Sequence, residues 1–330
     1  MEKRLRVLFV SSGNSKNFEI APFIKSQGES LREYGVDVDY FSIRGKGIKG
    51  YWKAAKDLKK ELTNSKIDIV HAHYSLCALT AILSRPNKPI VVSLMGSDAY
   101  GEYVGPNKVK FSSRYLTLIT FLIQPFAAAI ISKSSNIEKY VYLKRKSNTI
   151  PNGVNTGMFK VILDKRELRR ELGLDENKQL ILYLGNKNDT RKNFALVKSA
   201  VELLADDSVE IISTYPVSHD LLNKYYNACD VFAMSAFMEG SPNVIKEAMA
   251  CNCPIVSTDV GDAKWVLGNT EGCFVSGFSP QSFSQNLKYA IEFSNKKNRT
   301  NGRDRIFELG IDTHSVAKKI LAIYSKLKIS

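Results

Sequence analysis

Two acidic side chains eight positions apart, Glu239 and Glu247, bracket the segment Glu239-Gly-Ser-Pro-Asn-Val-Ile-Lys-Glu-Ala-Met-Ala250. Fixed carboxylates accept hydrogen bonds from hydroxyl groups, and between these two a Gly-Ser-Pro loop leads into an apolar run from Val244 to Cys251. That pattern predicts a helix over the run, capped by Ser241 or Asn243. A helix start carries about half a positive charge and unpaired N–H donors, which suit an anion. Phosphates at the helix start with hydroxyls on either side describe a nucleotide diphosphate sugar. The same pair also fits two solvated surface acids, the ordinary situation of Glu, so the surrounding elements decide between the two readings.

Asp230-Val-Phe-Ala-Met-Ser-Ala-Phe, just upstream, reads as a strand, and it belongs to a series with Leu180–Gly185, Val209–Ser213 and Pro254–Thr258. An earlier series has the same character: Arg6–Val10, Val36–Phe41, Ile67–His73, Ile90–Met95 and Ala127–Ser132. Helical apolar spacing over Phe18–Tyr34 stops at Gly35, and the chain finishes with Val316, Ile320, Ile323 and Tyr324 at helical spacing. Strands alternating with helices predict an α/β protein with two parallel, doubly wound sheets. The turn Ile150-Pro-Asn-Gly-Val-Asn divides the two series. A ligand crevice is expected at the carboxyl ends of the strands, where the two sheets face each other.

A chain of 330 residues with 44% hydrophobic content exceeds one compact core and predicts two domains. The N-terminus enters a strand without signal-peptide architecture, so a cytoplasmic protein is expected. Thr117, Thr120, Gln124 and Pro125 interrupt the most apolar window, Tyr115–Ile131. It reads as a helix followed by a buried strand rather than a membrane span. Five cysteines, Cys77, Cys229, Cys251, Cys253 and Cys273, lack CxxC spacing and suggest a reduced set. Cys251 and Cys253 have no second pair nearby to complete a zinc site. Asp37-x-Asp39 imitates a metal-binding DxD, but strand alternation puts both on the exposed face, and no metal is expected.

Charge is unevenly placed, with 24 Lys and Arg against 12 Asp and Glu in residues 1–150, and 23 against 21 in the remainder. Arg44, Lys46, Lys49, Lys53, Lys56, Lys59, Lys60 and Lys66 face only Asp57 and Glu61 over one short span. Ile48, Tyr51, Trp52, Ala55 and Leu58 are interleaved, which predicts an amphipathic basic helix. Its basic face is either simply solvated or docks on anionic lipid headgroups. No nucleic-acid motif accompanies the charge, and no nucleic-acid partner is expected.

The pattern E-G-x-P-N-x-x-x-E-A-M-A resembles the glutamate-x7-glutamate signature of GT-B glycosyltransferases, family 4 in particular. Likeness extends along nearly the whole chain. Ile150-Pro-Asn-Gly-Val-Asn is similar to that family's interdomain I-P-N-G-V-D, Asp68-Ile-Val-His-Ala-His to its D-I-V-H-x-H, and Ser93-Leu-Met-Gly-Ser-Asp to its T-x-H-G-x-D. The resemblance implies a GT-B fold of two Rossmann-like domains. Residues 1–150, with a C-terminal helix over 313–330 crossing back, would hold the acceptor, and residues 151–312 the sugar nucleotide. It further implies retaining, metal-independent transfer from a nucleotide sugar, UDP-linked in preference to GDP-linked. The acceptor would be a saccharide or lipid-linked saccharide at the inner membrane surface, in bacterial cell-surface polysaccharide synthesis.

Carried over residue by residue, the resemblance gives Glu247 the ribose hydroxyls and Glu239 the donor-sugar hydroxyls. Gly240, Ser241 and Pro242 form the loop between them, and Asn243 and Val244 offer backbone amides to the diphosphate. The family's strand followed by G-R-x4-K-G/N is similar to Leu184-Gly-Asn-Lys-Asn-Asp-Thr-Arg-Lys-Asn, with one residue more. Gly185 then stands at the turn, Lys192 takes the lysine role and Asn186 the arginine position, leaving Arg191 or Lys187 to supply a second charge. Gly13 is expected to let the first loop approach the donor, beside Asn14 where family members often have a second glycine. Met95 replaces the family's histidine, whose role passes to His73, to Asp98 or to no side chain. His71 and His73 share one face of a strand and are either packed histidines or site residues. Ser213–Val217 lies where the base is usually held. Two other readings remain: an epimerase or hydrolase of sugar nucleotides on the same scaffold, and a non-catalytic homologue serving as a partner subunit.

Overall fold

The computed structural model describes residues 4–15, 18–45, 47–105 and 108–328. Lys46 and the Ile48 side chain, both assigned above to the basic helix, lie outside the described residues, as do Met1 to Lys3 at the N-terminus. The chain forms two compact units, one of Met1–Glu102, Val109–Gly153 and Thr313–Ser330, the other of Tyr103–Lys108 and Val154–Asp312.

The first unit begins β1 (Arg6–Ser12), α1 (Pro22–Arg32), β2 (Asp37–Ile43), α2 (Gly47–Asn64), β3 (Ile69–His73), α3 (Ser75–Leu83), β4 (Ile90–Leu94) and α4 (Ser97–Tyr100). After a small ribbon of β5 (Tyr103–Gly105) and β6 (Lys108–Val109) come α5 (Arg114–Ile123), β7 (Ala129–Ser132), α6 (Ser135–Glu138) and β8 (Ser147–Thr149). Six parallel strands lie in the order β2-β1-β3-β4-β7-β8. A parallel sheet covered on both faces needs strands that are apolar throughout, and every residue of β3, β4 and β7 is buried. α1 starts at Pro22, later than the apolar spacing suggests, because proline presets the backbone angle of a first helical turn.

The second unit runs α7 (Lys165–Glu171), β9 (Gln179–Leu184), α8 (Phe194–Glu202), β10 (Val209–Thr214), α9 (His219–Ala228) and β11 (Val231–Met234). It continues with α10 (Asn243–Ala250), β12 (Ile255–Thr258), α11 (Ala263–Leu267), β13 (Cys273–Ser276), α12 (Pro280–Lys297) and α13 (Gly302–Leu309). Its parallel sheet has the order β10-β9-β11-β12-β13.

The last helix, α14 (Thr313–Tyr324), belongs to the first unit, where Val316, Ile320 and Tyr324 share a core with Val7, Phe9 and Ile24. Tyr324 and His71 join that core by a 2.6 Å hydrogen bond to His71 Nδ1, while His71 Nε2 meets Ser93 Oγ at 2.8 Å. The short edge strands β8 and β13 were not anticipated. Trp52 also departs from expectation: α2 buries Ala54, Ala55 and Leu58, but Trp52 is 55% exposed among the lysines. All five cysteines are free. Among the described residues no helix is long and apolar enough to cross a membrane.

One buried ion cluster holds the far end of the second sheet from the strands' carboxyl ends. Asp230 accepts from Arg169 Nη2 at 2.7 Å, from Lys165 and from the Leu180 amide at 2.6 Å, and Arg169 also donates to the Ala228, Glu176 and Lys178 carbonyls. Removing one member strands the others in low dielectric. Asp230→Ala is expected to cost about 3–5 kcal/mol, read as a lowered urea midpoint. Arg4→Ala, which breaks an exposed pair with Asp37, should leave the midpoint nearly unchanged.

Candidate functional site

In the order β10-β9-β11-β12-β13 the chain direction of winding reverses between β9 and β11, so the loops leaving these neighbouring strands diverge and open a crevice. The loop after β9 carries Gly185 to Lys192, and the loop after β11 carries Glu239. Across the reversal Lys192 Nζ donates to Glu239 Oε1 at 2.5 Å, with both side chains only partly exposed. Backbone anchors fix the lysine from behind. Its carbonyl accepts from Ser235 Oγ at 2.9 Å and from Tyr183 Oη at 3.3 Å. Gly185 has φ +152°, and a Cβ there would lie 3.2 Å from Lys192 Cγ, so glycine lets the strand end lie against the lysine stem.

Gly240, Ser241 and Pro242 form a buried loop leading into α10. The expected side-chain cap is absent. Pro242 occupies the cap position, Asn243 is the first helical residue, and no side chain caps the helix. Ser241 is engaged elsewhere: its hydroxyl bonds to Asp262 Oδ2 at 2.7 Å and accepts from Lys246 Nζ at 2.5 Å. The first amides of α10, Asn243 and Val244 among them, are therefore left for a ligand. Two buried acceptors beside them, Asn243 Oδ1 and Asp262 Oδ1, have no hydrogen-bond partner among the described residues.

Glu247 follows one turn along α10, 8% exposed, with Tyr226 Oη 3.1 Å from its Oε2. Burial pushes its carboxyl up to about 7, against the opposing pull of Tyr226 and Lys246. Burial raises Asp262 and lowers the fully buried Lys246 in the same way. Ionising Glu247 in the ligand-free protein thus costs roughly 3 kcal/mol relative to water. The folded value lies above the unfolded one, so this group's contribution to stability falls as pH rises from about 4.5 to about 7.

The remaining charged candidates are occupied. Arg191 is held by Asp189, at 2.8 Å from Nη2 and 3.1 Å from Nε, and the guanidinium beside Asp189 lowers that carboxyl. Lys187 Nζ lies 5.0 Å over the Phe194 ring, and the Asn186 side chain accepts from the Asn188 amide. Of these cations, Lys192 is the one recorded in an ion pair with Glu239.

Gly13 and His73 lie in the first unit. The Gly13 amide donates to the Ile43 carbonyl at 2.9 Å, and a Cβ on it would come within 3.0 Å of Ser42 Cβ. Asn14 pins the same loop, exchanging two 2.9 Å bonds with Gly45. His71 is a satisfied core histidine. His73 is buried beneath Phe9 and stacked on His71 at 4.4 Å, with neither ring nitrogen hydrogen-bonded among the described residues. Burial lowers both histidines well below the usual range, with the Lys133 charge adding to it, and His71 acting further on His73. Asp98, one substitute for the absent histidine, accepts from the Met95, Gly96 and Ser75 amides at 2.9, 2.8 and 3.0 Å. Despite burial that lifts it to about 6, its oxygens are committed to shaping the loop at Met95.

Sequence reasoning missed Tyr226, Lys246, Gly261 and Asp262. Gly261 has φ +60°, and a Cβ there would meet the Glu239 carbonyl at 2.8 Å, so only glycine lets the loop after β12 back the Glu239 loop. A glycine straight after a strand, in Thr258-Asp-Val-Gly-Asp, was the available signal. A G-x-G-x-x-G spacing also occurs, at Gly45, Gly47 and Gly50, but after the second strand; the dinucleotide fingerprint follows the first. Cys251 and Cys253 donate to Asn223 Oδ1 and the Pro254 carbonyl, and among the described residues no three His, Cys, Asp or Glu gather as a metal site.

The family model described as Glycosyltransferase Family 4 matches residues 3–157, and that described as Glycosyl transferases group 1 matches residues 176–292. A Bacillus subtilis protein named as a teichuronic acid biosynthesis glycosyltransferase is 23% identical over 66% of this chain and 60% of its own length. The Campylobacter jejuni N-acetylgalactosamine-N,N'-diacetylbacillosaminyl-diphospho-undecaprenol 4-alpha-N-acetylgalactosaminyltransferase is 28% identical over 36% of this chain and 35% of its own length. The chain thus spans less than two thirds of these relatives. Among solved structures, sucrose-phosphate synthase from Thermosynechococcus elongatus superposes with a TM-score of 0.76 at 16% identity, covering 98% of this chain and 99% of that one. Anabaena HepE in complex with UDP and glucose does so with a TM-score of 0.73 at 15% identity, covering 98% and 100%. With a GT-B fold and matches along most of its length, the chain belongs to glycosyltransferase family 4.

Proposed function

We propose that this protein transfers a sugar from a nucleoside diphosphate to a hydroxyl of a saccharide or lipid-linked saccharide, with retention at the anomeric carbon and without a metal ion. The observation that carries the reading is the Lys192–Glu239 ion pair at the uncapped start of α10, with the Glu247 carboxyl buried one turn on. The donor diphosphate sits on the α10 amides, and Lys192 leaves Glu239 to neutralise it. Glu239, released, accepts from sugar hydroxyls. Glu247 accepts from two ribose hydroxyls, and Asn243 Oδ1 and Asp262 Oδ1 take further hydroxyl donors. The bond from the anomeric carbon to the diphosphate oxygen breaks while the acceptor oxygen bonds on the same face. The acceptor proton passes to the departing phosphate oxygen, giving a glycoside and a nucleoside diphosphate. His73, neutral through burial, serves as a hydrogen-bonding group rather than a charge.

A uridine nucleotide is favoured by the HepE structures, which hold UDP and UDP-glucose. A lipid-linked acceptor is favoured by the name of the Campylobacter relative, which carries diphospho-undecaprenol, and bacterial polysaccharide synthesis by that of the Bacillus relative, which carries teichuronic acid. A donor-binding partner subunit is the second reading, favoured by the engagement of Arg191 with Asp189 and of Asp98 with backbone amides. It predicts UDP-sugar binding without release of UDP in the presence of acceptor extract.

Lys192→Ala is expected to lower kcat/KM by about 100- to 1,000-fold, since the stabilisation of developing charge is the largest contribution to such a transfer. Arg191→Ala, which removes an already neutralised cation, should cost less than about tenfold. UDP release from UDP-sugars with an acceptor extract measures both; equal losses at the two positions would overturn the assignment of roles.

Glu247 gives a second test. The ribose hydroxyls favour its ionised form, so donor binding lowers its pKa from about 7 and donor affinity rises with pH between about 6 and 8. Calorimetric titration should show Kd falling up to about tenfold per pH unit below 7 and levelling above it. Glu247→Gln should bind more weakly and lose this pH dependence.

A further inference from the structure

Helix α5 is apolar on the side that faces the protein and on the side that does not. Leu116, Thr120 and Ile123 are buried, as a packed helix requires, and α5 lies against α3 and α4. A surface helix normally turns polar residues outward. Here the outward stripe is Tyr115, Leu118 and Leu122 at helical spacing, with Leu118 and Leu122 more than half exposed. Phe111 before the helix is 81% exposed and Phe126 after it 64%, so the apolar surface continues past both ends. Contiguous exposure of this kind marks an interaction surface in a folded protein.

Cations rim the stripe. Arg114 stands over the Phe111 ring at 5.4 Å. At the other end Tyr142 stacks on Phe121 at 6.0 Å, and Gln124 Oε1 accepts from the Tyr142 and Leu143 amides. Lys146 Nζ donates to the Pro125 and Ala127 carbonyls, which staples the turn carrying Lys144 and Arg145 beside Phe126. Residues 101–150 contain eight Lys and Arg but only Glu102 and Glu138 as acids, and both acids are paired, with Lys110 and Lys144.

We propose that the outward face of α5 seats the protein on a bilayer leaflet containing anionic lipid, with Phe111, Leu118, Leu122 and Phe126 entering the acyl boundary and Arg114 and Arg145 meeting the headgroups. Interfacial helices combine an apolar stripe with flanking cations in this way, and long basic side chains lay their stems on apolar surface while keeping the charge in the polar layer. A second copy fits less well, because a self-complementary contact brings identical basic rims together. With ten residues, α5 lies in the interface rather than spanning it. The inference deepens the reading of a lipid-linked acceptor, and its test measures binding rather than turnover, so the two readings fail separately.

The full chain is mixed with phosphatidylcholine vesicles and with phosphatidylcholine–phosphatidylglycerol vesicles and sedimented. Binding is expected to the anionic vesicles and to weaken with salt. Leu118→Glu combined with Leu122→Glu should reduce it roughly tenfold or more, with circular dichroism and the thermal shift by UDP unchanged. Arg114→Glu combined with Arg145→Glu should reduce it on anionic vesicles. Leu118→Trp should add a fluorescence component that shifts to the blue on anionic vesicles. Equal sedimentation of wild type and the double glutamate variant, or an unshifted Leu118→Trp signal at saturating lipid, would overturn the proposal. So would a dimer without vesicles that the glutamate variant converts to monomer.

Discussion

The reversal of winding between β9 and β11 is the constraint on which the site depends. A parallel sheet leaves its loops at the carboxyl ends, and only where the order reverses do two neighbouring loops part far enough to admit a ligand. Lys192 and Glu239 come from those two loops, 47 residues apart in sequence, and their 2.5 Å contact spans the gap. The pair holds each side chain near the helix start while both remain partly exposed. Such a contact is worth little to stability. Under the proposed transfer its value would lie in preorganisation: a phosphate arriving at α10 would find a cation already in reach and, by taking it, would free a carboxylate for hydroxyls.

Behind that pair, three ionisable groups, two of them on α10, share a dry environment. Lys246 is fully buried, Glu247 nearly so, and Asp262 reaches the same Ser241 hydroxyl from the loop after β12. Each is desolvated, and burial pushes each toward its neutral form. Lys246 spends its charge within the network, on Ser241 and near Asp262, so it braces the loop rather than meeting a ligand. Among the described residues, Tyr226 and the Lys246 charge compensate Glu247 in part. Two ribose hydroxyls would supply the hydrogen bonds that make its ionised form affordable, which couples donor binding to the charge state of this acid.

How much of this the sequence disclosed follows from what kind of signal each feature leaves. Central strands β4 and β9 are legible because burial on both faces demands largely apolar runs; β8, with the polar sequence Ser-Asn-Thr, sits at a sheet edge where that demand lapses. Glu239, Glu247 and Lys192 were legible from spacing and resemblance together. Tyr226 was not, because in α9 it reads as one more core aromatic, and its hydroxyl becomes informative only when the fold sets it 3.1 Å from Glu247. Ser241 misled for a related reason: local preference makes serine a cap, and a tertiary partner, Asp262, outbid the helix amides for its hydroxyl. The apolar window over Tyr115–Ile131 was read correctly as helix and strand. Yet composition cannot tell which side of a helix is covered, and the outward stripe of α5 emerged only from the packing.

His71 shows how a motif residue can serve the architecture. Of the two histidines at the end of β3, it is bonded on both ring nitrogens, to Ser93 and to Tyr324. Tyr324 lies 253 positions away on α14, so this bond closes the first unit around a segment made after the whole of the second. The second unit is nearly continuous in sequence, Val154–Asp312, and its contacts can form without waiting. The first unit cannot complete the core of Val7, Phe9 and Ile24 until Val316 and Ile320 arrive, and contacts of such long sequence separation are entropically the slowest to form. His73 is released from this structural duty. It stacks on a partner already fixed by two hydrogen bonds, so among the described residues its ring is held in place without a bond to either nitrogen.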